Sequence, residues 1–207
     1  MATKKIVSTS PIAFLALLLL PLPVQAQDAA TDSGRPALRV TSGHVSVLCP
    51  LTIGGSFEAH TKALTGDVGI VGDTSRPLDA EMLVDLQTLE TGIGLRDQHL
   101  RKTYLEVERG PEYAQAHLRN IRVDRLSGKT PFRAVLMLHG QSREVSGTAD
   151  IKPEGDGYRL AASFPVRVSE FGIPAPTYLG VGVKDEVLVR VNLNAAPAAV
   201  ATSGRTR

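Results

Sequence analysis

The sequence predicts an all-β fold, an antiparallel sandwich or barrel, preceded by a secretory leader and interrupted by one short helix. Three observations carry this. Apolar and polar residues alternate with period two in one run after another. Gly, Pro and Asp turn signals separate those runs at short, regular intervals. The 207 residues, 43% apolar and 21% charged, suit one domain with a real core and exclude disorder for most of the chain.

In chain order, Lys4 and Lys5 open a basic stretch, Ile12 to Leu20 form an apolar one, and Pro21 and Pro23 break it before Val24-Gln25-Ala26. This layout predicts a signal peptide over residues 1–26, cleaved after Ala26. The apolar run is shorter than the roughly 20 residues needed to span a bilayer, so a mature protein that does not cross the membrane is expected. Residues 27–36 are small and polar and read as a flexible lead-in.

Val45, Val47, Cys49 and Leu51 then alternate with Ser46, Leu48 and Pro50, and Pro50 marks a strand end or edge. Gly54-Gly55 predicts a turn, Phe57-Glu58-Ala59 a new run, and Val68-Gly69-Ile70-Val71 another, closed by Gly72-Asp73. Ala80, Met82, Val84 and Leu86 share a face, and so do Val187, Val189, Val191 and Leu193. Further runs cover 132–138, 145–151 and 158–168, with turn signals at His139-Gly140, 153–157 and Pro174-Ala175-Pro176. Residues 95–108 break the pattern: Leu95, Leu100 and Tyr104 among charges, ending at Arg109-Gly110-Pro111, predict an amphipathic helix across the barrel mouth or side. Residues 196–207 read as a disordered tail.

Charge and motifs exclude several functions. The 23 basic residues, less Lys4 and Lys5, balance the 21 acidic ones, and no basic stripe calls for nucleic acid. Histidine-rich metal motifs, cysteine pairs, nucleophile elbows and phosphate loops are missing, and His44, His60, His99, His117 and His139 have no metal-ligand spacing. No cofactor or metal is expected. Cys49, the single cysteine, forms no internal disulfide and reads as a buried, inert thiol.

Several stretches resemble the YceI-like family. They are Leu89-Glu90-Thr91-Gly92 with Arg96-Asp97-Gln98-His99-Leu100-Arg101, then Leu136-Met137-Leu138-His139-Gly140. The last block is Phe164-Pro165-Val166-Arg167-Val168-Ser169-Glu170-Phe171-Gly172-Ile173 followed by Val183-Lys184-Asp185-Glu186-Val187. The blocks run in the family's order over nearly all of the mature chain. The resemblance implies a lipocalin-like antiparallel barrel of about eight strands over 37–195, usually periplasmic, holding a polyisoprenoid or similar lipid. The chain departs from the pattern at Leu51-Thr52, where members often carry histidine, and at Val168 and Glu170, where they carry arginine and aspartate. The stretch Arg109-Gly110-Pro111-Glu112-Tyr113-Ala114 is also shifted against the usual Tyr-Pro.

In such a barrel the inward phase includes Val45, Val47, Met82, Val84, Leu86, Leu136, Leu138, Phe164, Val166 and Val189. Leu100 and Tyr104 join them from the helix as ligand-binding positions. A plain packed core demands the same pattern, so residue types alone leave core and ligand lining both open. Arg96, Asp97, His99 and Arg101 are the expected cavity rim; their alternative is a solvated helix start with an Asp97–Arg101 pair. His99 is also placed to tie the helix to the barrel through a backbone hydrogen bond. His139-Gly140 reads as a hairpin turn with a secondary ligand role for His139, and Asp185-Glu186 as turn chemistry.

The expected function is non-catalytic binding, sequestration or transport of a polyisoprenoid or isoprenoid-quinone-like lipid in the periplasm. An enzyme acting on a lipid-like substrate through His99 or His139 is the first alternative. A β-sandwich interaction module with a filled core is the second. A homodimer is left open.

Overall fold

The computed structural model of the chain describes residues 37–69, 79–175, 177, 178 and 181–198. The expected leader over 1–26, the lead-in over 27–36, the apolar pair at 70–71 and the tail from 199 onward lie outside the described residues.

The strands are β1 (Ala37–Pro50), β2 (Ser56–Thr61), β3 (Leu64–Gly69), β4 (Asp79–Asp85), β5 (Gln115–Val123), β6 (Gly128–Leu138), β7 (Gln141–Glu154), β8 (Gly157–Arg167), β9 (Thr177–Tyr178), β10 (Val181–Gly182) and β11 (Glu186–Pro197). All pair antiparallel. The sheet runs β11-β8-β7-β6-β5-β4-β3-β1, and β11 returns to pair with β1 from Leu38↔Pro197 to Leu48↔Leu188. That closure makes a barrel and excludes the sandwich. β11 also runs to Pro197, past the expected boundary at Ala195.

β2 and β3 are two halves of one strand. Val45 faces Thr61 and Leu38 faces Val68 in a single register along β1, so the barrel has eight strands. The break at Lys62-Ala63 has a local cause. The Ala63 N–H donates to Thr61 Oγ1 at 3.0 Å and the Leu64 N–H to the Lys62 carbonyl at 2.9 Å, which takes both amides out of the ladder. Gly43 lies opposite that break, where a Cβ would stand 2.5 Å from Leu64 Cδ2; its bare backbone makes room for the buried Leu64 side chain.

Alternation then sorts side chains by face. In β6, Thr130, Phe132, Ala134 and Leu136 are buried while Lys129, Pro131 and Arg133 are exposed. Gly147 of β7 lies between Phe132 and Phe164 on the flanking strands. A Cβ there would fall 2.7 Å from Phe164 Cβ and 2.9 Å from Phe132 Cε1. Its absence lets the two rings meet edge to face, centroids 5.7 Å apart at 90°.

Antiparallel order gathers the connections β1–β2, β4–β5, β6–β7 and β8–β11 at one end of the barrel. The β4–β5 connection is the longest and is not the single helix expected over 95–108. It is a strap of short pieces: a 3₁₀ turn (Leu86–Thr88), α1 (Gly94–His99), a π turn (Leu100–Tyr104), a second 3₁₀ turn (Val107–Arg109) and α2 (Pro111–Ala114). Glu106, left-handed at φ 50°, ends the helical path before Val107, and Gly110-Pro111 restarts it.

Candidate functional site

The barrel interior is hollow. A cavity of about 270 Å³ lies along it, whereas well-packed cores contain few voids larger than a water molecule. The inward side chains show the same thing: Val47, Val84, Leu160, Val189 and Val191 point inward yet keep part of their surface free. An eight-stranded barrel is just wide enough to be filled by its side chains or to hold one small ligand. Mostly medium-sized aliphatic side chains leave this one open.

All twelve positions expected to face the interior line the cavity: Val45, Val47, Met82, Val84, Leu86, Leu100, Tyr104, Leu136, Leu138, Phe164, Val166 and Val189. Leu86 does so from the 3₁₀ turn after β4, not from the strand. The wall also takes in Cys49, Phe57, Leu89, Leu105, Ile173 and Val183. Cys49 and Phe57 continue the inward phase of their strands, a signal present in the sequence; the other four stand outside the long strands, where period two says nothing. Among the described residues, every member of the wall is aliphatic, aromatic or sulfur-bearing. Val168, standing where the resemblance expects arginine, is in the wall and keeps a charge out of it. Burial pushes the Cys49 thiol up to about 11, against the pull of the nearby Arg96 charge.

None of the four expected rim residues is part of the cavity wall. Arg96 stacks its guanidinium 4.5 Å from the Phe57 ring centroid, pinning α1 to β2. Asp97 is buried and accepts both the backbone N–H and the hydroxyl of Thr91, each at 2.6 Å. Burial alone would raise its carboxyl; the Thr91 hydrogen bonds and the Arg101 and Arg96 charges outweigh that and hold it below its ordinary value. Arg101 donates to the Leu89 carbonyl at 3.0 Å, so the anticipated Asp97–Arg101 pair is replaced by two separate ties within the strap. Farther back, His60 and Glu90 exchange backbone hydrogen bonds of 2.8 and 3.0 Å, and Thr61 and Thr88 join their hydroxyls at 2.5 Å. His99 is exposed and makes no hydrogen bond among the described residues, so it does not tie the helix to the barrel.

His139 is a clasp at the same end. With Gly140 it forms the two-residue β6–β7 turn, both at positive φ (51° and 71°), the backbone that a two-residue type I′ hairpin requires. Its Nδ1 donates to the Phe171 carbonyl at 3.0 Å, since a carbonyl only accepts, and its Nε2 lies 3.1 Å from Glu106 Oε2. Tyr113 meets the ring edge-on at 4.7 Å. The Arg109 hydrogen bond, ahead of His139, holds the Glu106 carboxyl below its ordinary value. Neither His99 nor His139 lines the cavity. Asp185 accepts the Ser169 N–H and hydroxyl, each at 2.9 Å, as turn chemistry requires. No group of three His, Cys, Asp or Glu side chains suited to a metal ion occurs among the described residues.

Fold and cavity together define a lipocalin-like barrel with a hollow apolar interior. The model of the YceI-like domain matches residues 32–195, and the chain belongs to that family. Solved structures share the architecture. BcnA of Burkholderia cenocepacia is 18% identical with a TM-score of 0.62, over 74% of this chain and 96% of that one. A polyisoprenoid binding domain from Saccharophagus degradans is 15% identical with a TM-score of 0.60, over 80% and 100%. The Campylobacter jejuni YCEI protein is 13% identical with a TM-score of 0.54, over 70% and 86%. At these identities the likeness is one of fold. No curated protein matches the sequence.

Proposed function

We propose that this chain binds a long apolar lipid, a polyisoprenoid or isoprenoid-quinone-like molecule, inside the barrel and sequesters or carries it in the periplasm without chemical change. The observation that carries this reading is the cavity of about 270 Å³, whose wall among the described residues is aliphatic, aromatic and sulfur-bearing. Among the described wall residues, only the Tyr104 phenol and the Cys49 thiol add polarity. A polar head drawn inside without a partner costs roughly 2–7 kcal/mol, so the head group stays at the mouth and the hydrocarbon enters. The Saccharophagus degradans relative, described as a polyisoprenoid binding domain, supports the ligand class. The leader-like residues 1–26 support export, and no helix of the described residues is long and apolar enough to cross a membrane.

Each buried CH₂ contributes roughly 0.8 kcal/mol, so one isoprene unit is worth on the order of 4 kcal/mol before ordering costs. A few units approach the practical affinity ceiling. Cavity length, rather than accumulated contacts, therefore sets the preferred chain.

Solvent extraction of freshly purified protein followed by mass spectrometry tests the reading. A stoichiometric polyprenyl species is expected, and Leu138→Trp, which puts an indole into the wall, lowers its occupancy several-fold. An empty extract, or occupancy indifferent to Leu138→Trp, overturns the assignment.

A further inference from the structure

Among the described residues, four large apolar side chains face solvent: Ile53 (71% exposed), Leu95 (66%), Ile93 (51%) and Val181 (37%). Single exposed apolar residues need no explanation. These four share one end of the barrel. Ile53 is in the β1–β2 connection, Ile93 and Leu95 flank the first residue of α1, and Val181 is in β10. The Thr52 N–H donates to the Gly182 carbonyl at 2.8 Å and the Gly182 N–H to Thr52 Oγ1 at 2.9 Å, holding the loops of Ile53 and Val181 side by side. The Arg96–Phe57 stack brings α1 to the start of β2, just beyond Ile53. At the opposite end, the described turns at 124–127 and 155–156 expose no such side chain.

The size and charge of this patch fit one kind of occupant. A stable protein–protein interface needs about 800 Å² from each partner, more than four part-exposed aliphatic side chains supply. Charges at this end pair with one another: Lys102 with Glu108 at 2.7 Å and Arg109 with Glu106 at 2.7 Å. Among the described residues these pairs leave no stripe of one sign for a charged macromolecule, which suits a zwitterionic surface. The patch is joined to the cavity as well. Phe57 carries Arg96 on its ring and lines the interior, and the strap that turns Leu95 outward turns Leu89 and Leu100 inward.

We propose that the strap end docks on the surface of a lipid bilayer through Ile53, Ile93 and Leu95, bringing the cavity to the phase in which an apolar cargo dissolves. The inference rests on the carrier reading for its purpose, and it is tested without cargo.

The chain has no tryptophan, so Leu95→Trp reports docking without background, with Asp156→Trp as the control at the far end. Phosphatidylcholine vesicles are titrated into each variant at about 0.15 M salt, with and without phosphatidylglycerol, and with brominated acyl chains as quencher. The Leu95→Trp emission shifts blue and is quenched by the brominated chains, while the Asp156→Trp emission stays put. Phosphatidylglycerol changes the partition by less than about threefold. Adding Ile53→Ser and Ile93→Ser weakens partition roughly tenfold with an unchanged melting temperature.

Four results overturn docking: no shift at saturating lipid, an equal response at both ends, a requirement for the anionic lipid, or a shift that follows protein concentration without vesicles and so reports a second copy. Docking with an empty solvent extract refutes the carrier reading and leaves docking standing. A loaded protein that ignores vesicles does the reverse.

Discussion

Cys49 places a titratable group against the hollow interior. It is buried, its Sγ lies 3.7 Å from the Val47 carbonyl, and burial raises the thiol from its ordinary 9.0 to about 11. The raised value favours the protonated thiol in the folded state. Its stabilising contribution is therefore fully present below pH 9 and is lost as the pH climbs toward 11, on the order of 3 kcal/mol across that window. Urea unfolding at pH 8 and pH 11 should show the parent losing about that much more stability than Cys49→Ala; parallel losses would sink the assignment. The inert thiol was legible in the sequence, because a single cysteine in an apolar alternating run has few other uses. The partners of His139 were not. Its turn follows from neighbouring residues, whereas Phe171 and Glu106 reach it from 32 and 33 positions away.

The strap shows what an element-scale reading misses. Leu95, Leu100 and Tyr104 suggested one buried helical stripe, yet Leu95 points to solvent and the path breaks at Glu106. The broken path is fastened by side-chain bonds that no local period encodes, Asp97 to Thr91 and Arg101 to Leu89 within the strap and Glu106 to His139 across to the β6–β7 turn. Strands other than β5 are more legible, because a half-buried ladder forces alternation residue by residue. Asp97→Ala removes both Thr91 bonds, so strap amides at 89–105 should exchange with deuterium roughly tenfold faster, about 1.4 kcal/mol of local opening, while β6 and β7 amides hold. Because folding depresses the Asp97 carboxyl, its contribution is present above its ordinary value of 3.8 and is lost as the pH falls through the lower folded one. Acid should loosen the strap in the parent and leave Asp97→Ala comparatively unmoved. Equal exchange in both proteins at neutral pH would remove Asp97 from the latch.

At the scale of the molecule, the inward phase of most strands is legible in the sequence, and the count of about eight follows from the family resemblance. β5 is not legible, because its irregularity between Arg119 and Arg122, with Asn120 at φ 52°, breaks the alternation. Hollowness is not legible either. A filled core and an open one require the same aliphatic alternation, and only the summed volumes around the closed ring separate them. A tenant in that space stabilises the fold by mass action, roughly 3–4 kcal/mol at a hundred to a thousand times its dissociation constant. Extraction of the lipid should lower the melting temperature by about 5–15 °C, and re-addition should restore it; a melting curve blind to extraction contradicts occupancy. The uniform greasy wall has a further consequence. Dispersion forces offer a hydrocarbon no landmark along the axis, so a bound chain can slide lengthwise at almost no cost. For the lipid proposed above, depth would then be decided where its polar end catches, and molecules of unequal length would come to rest aligned at that end with their tips at different depths.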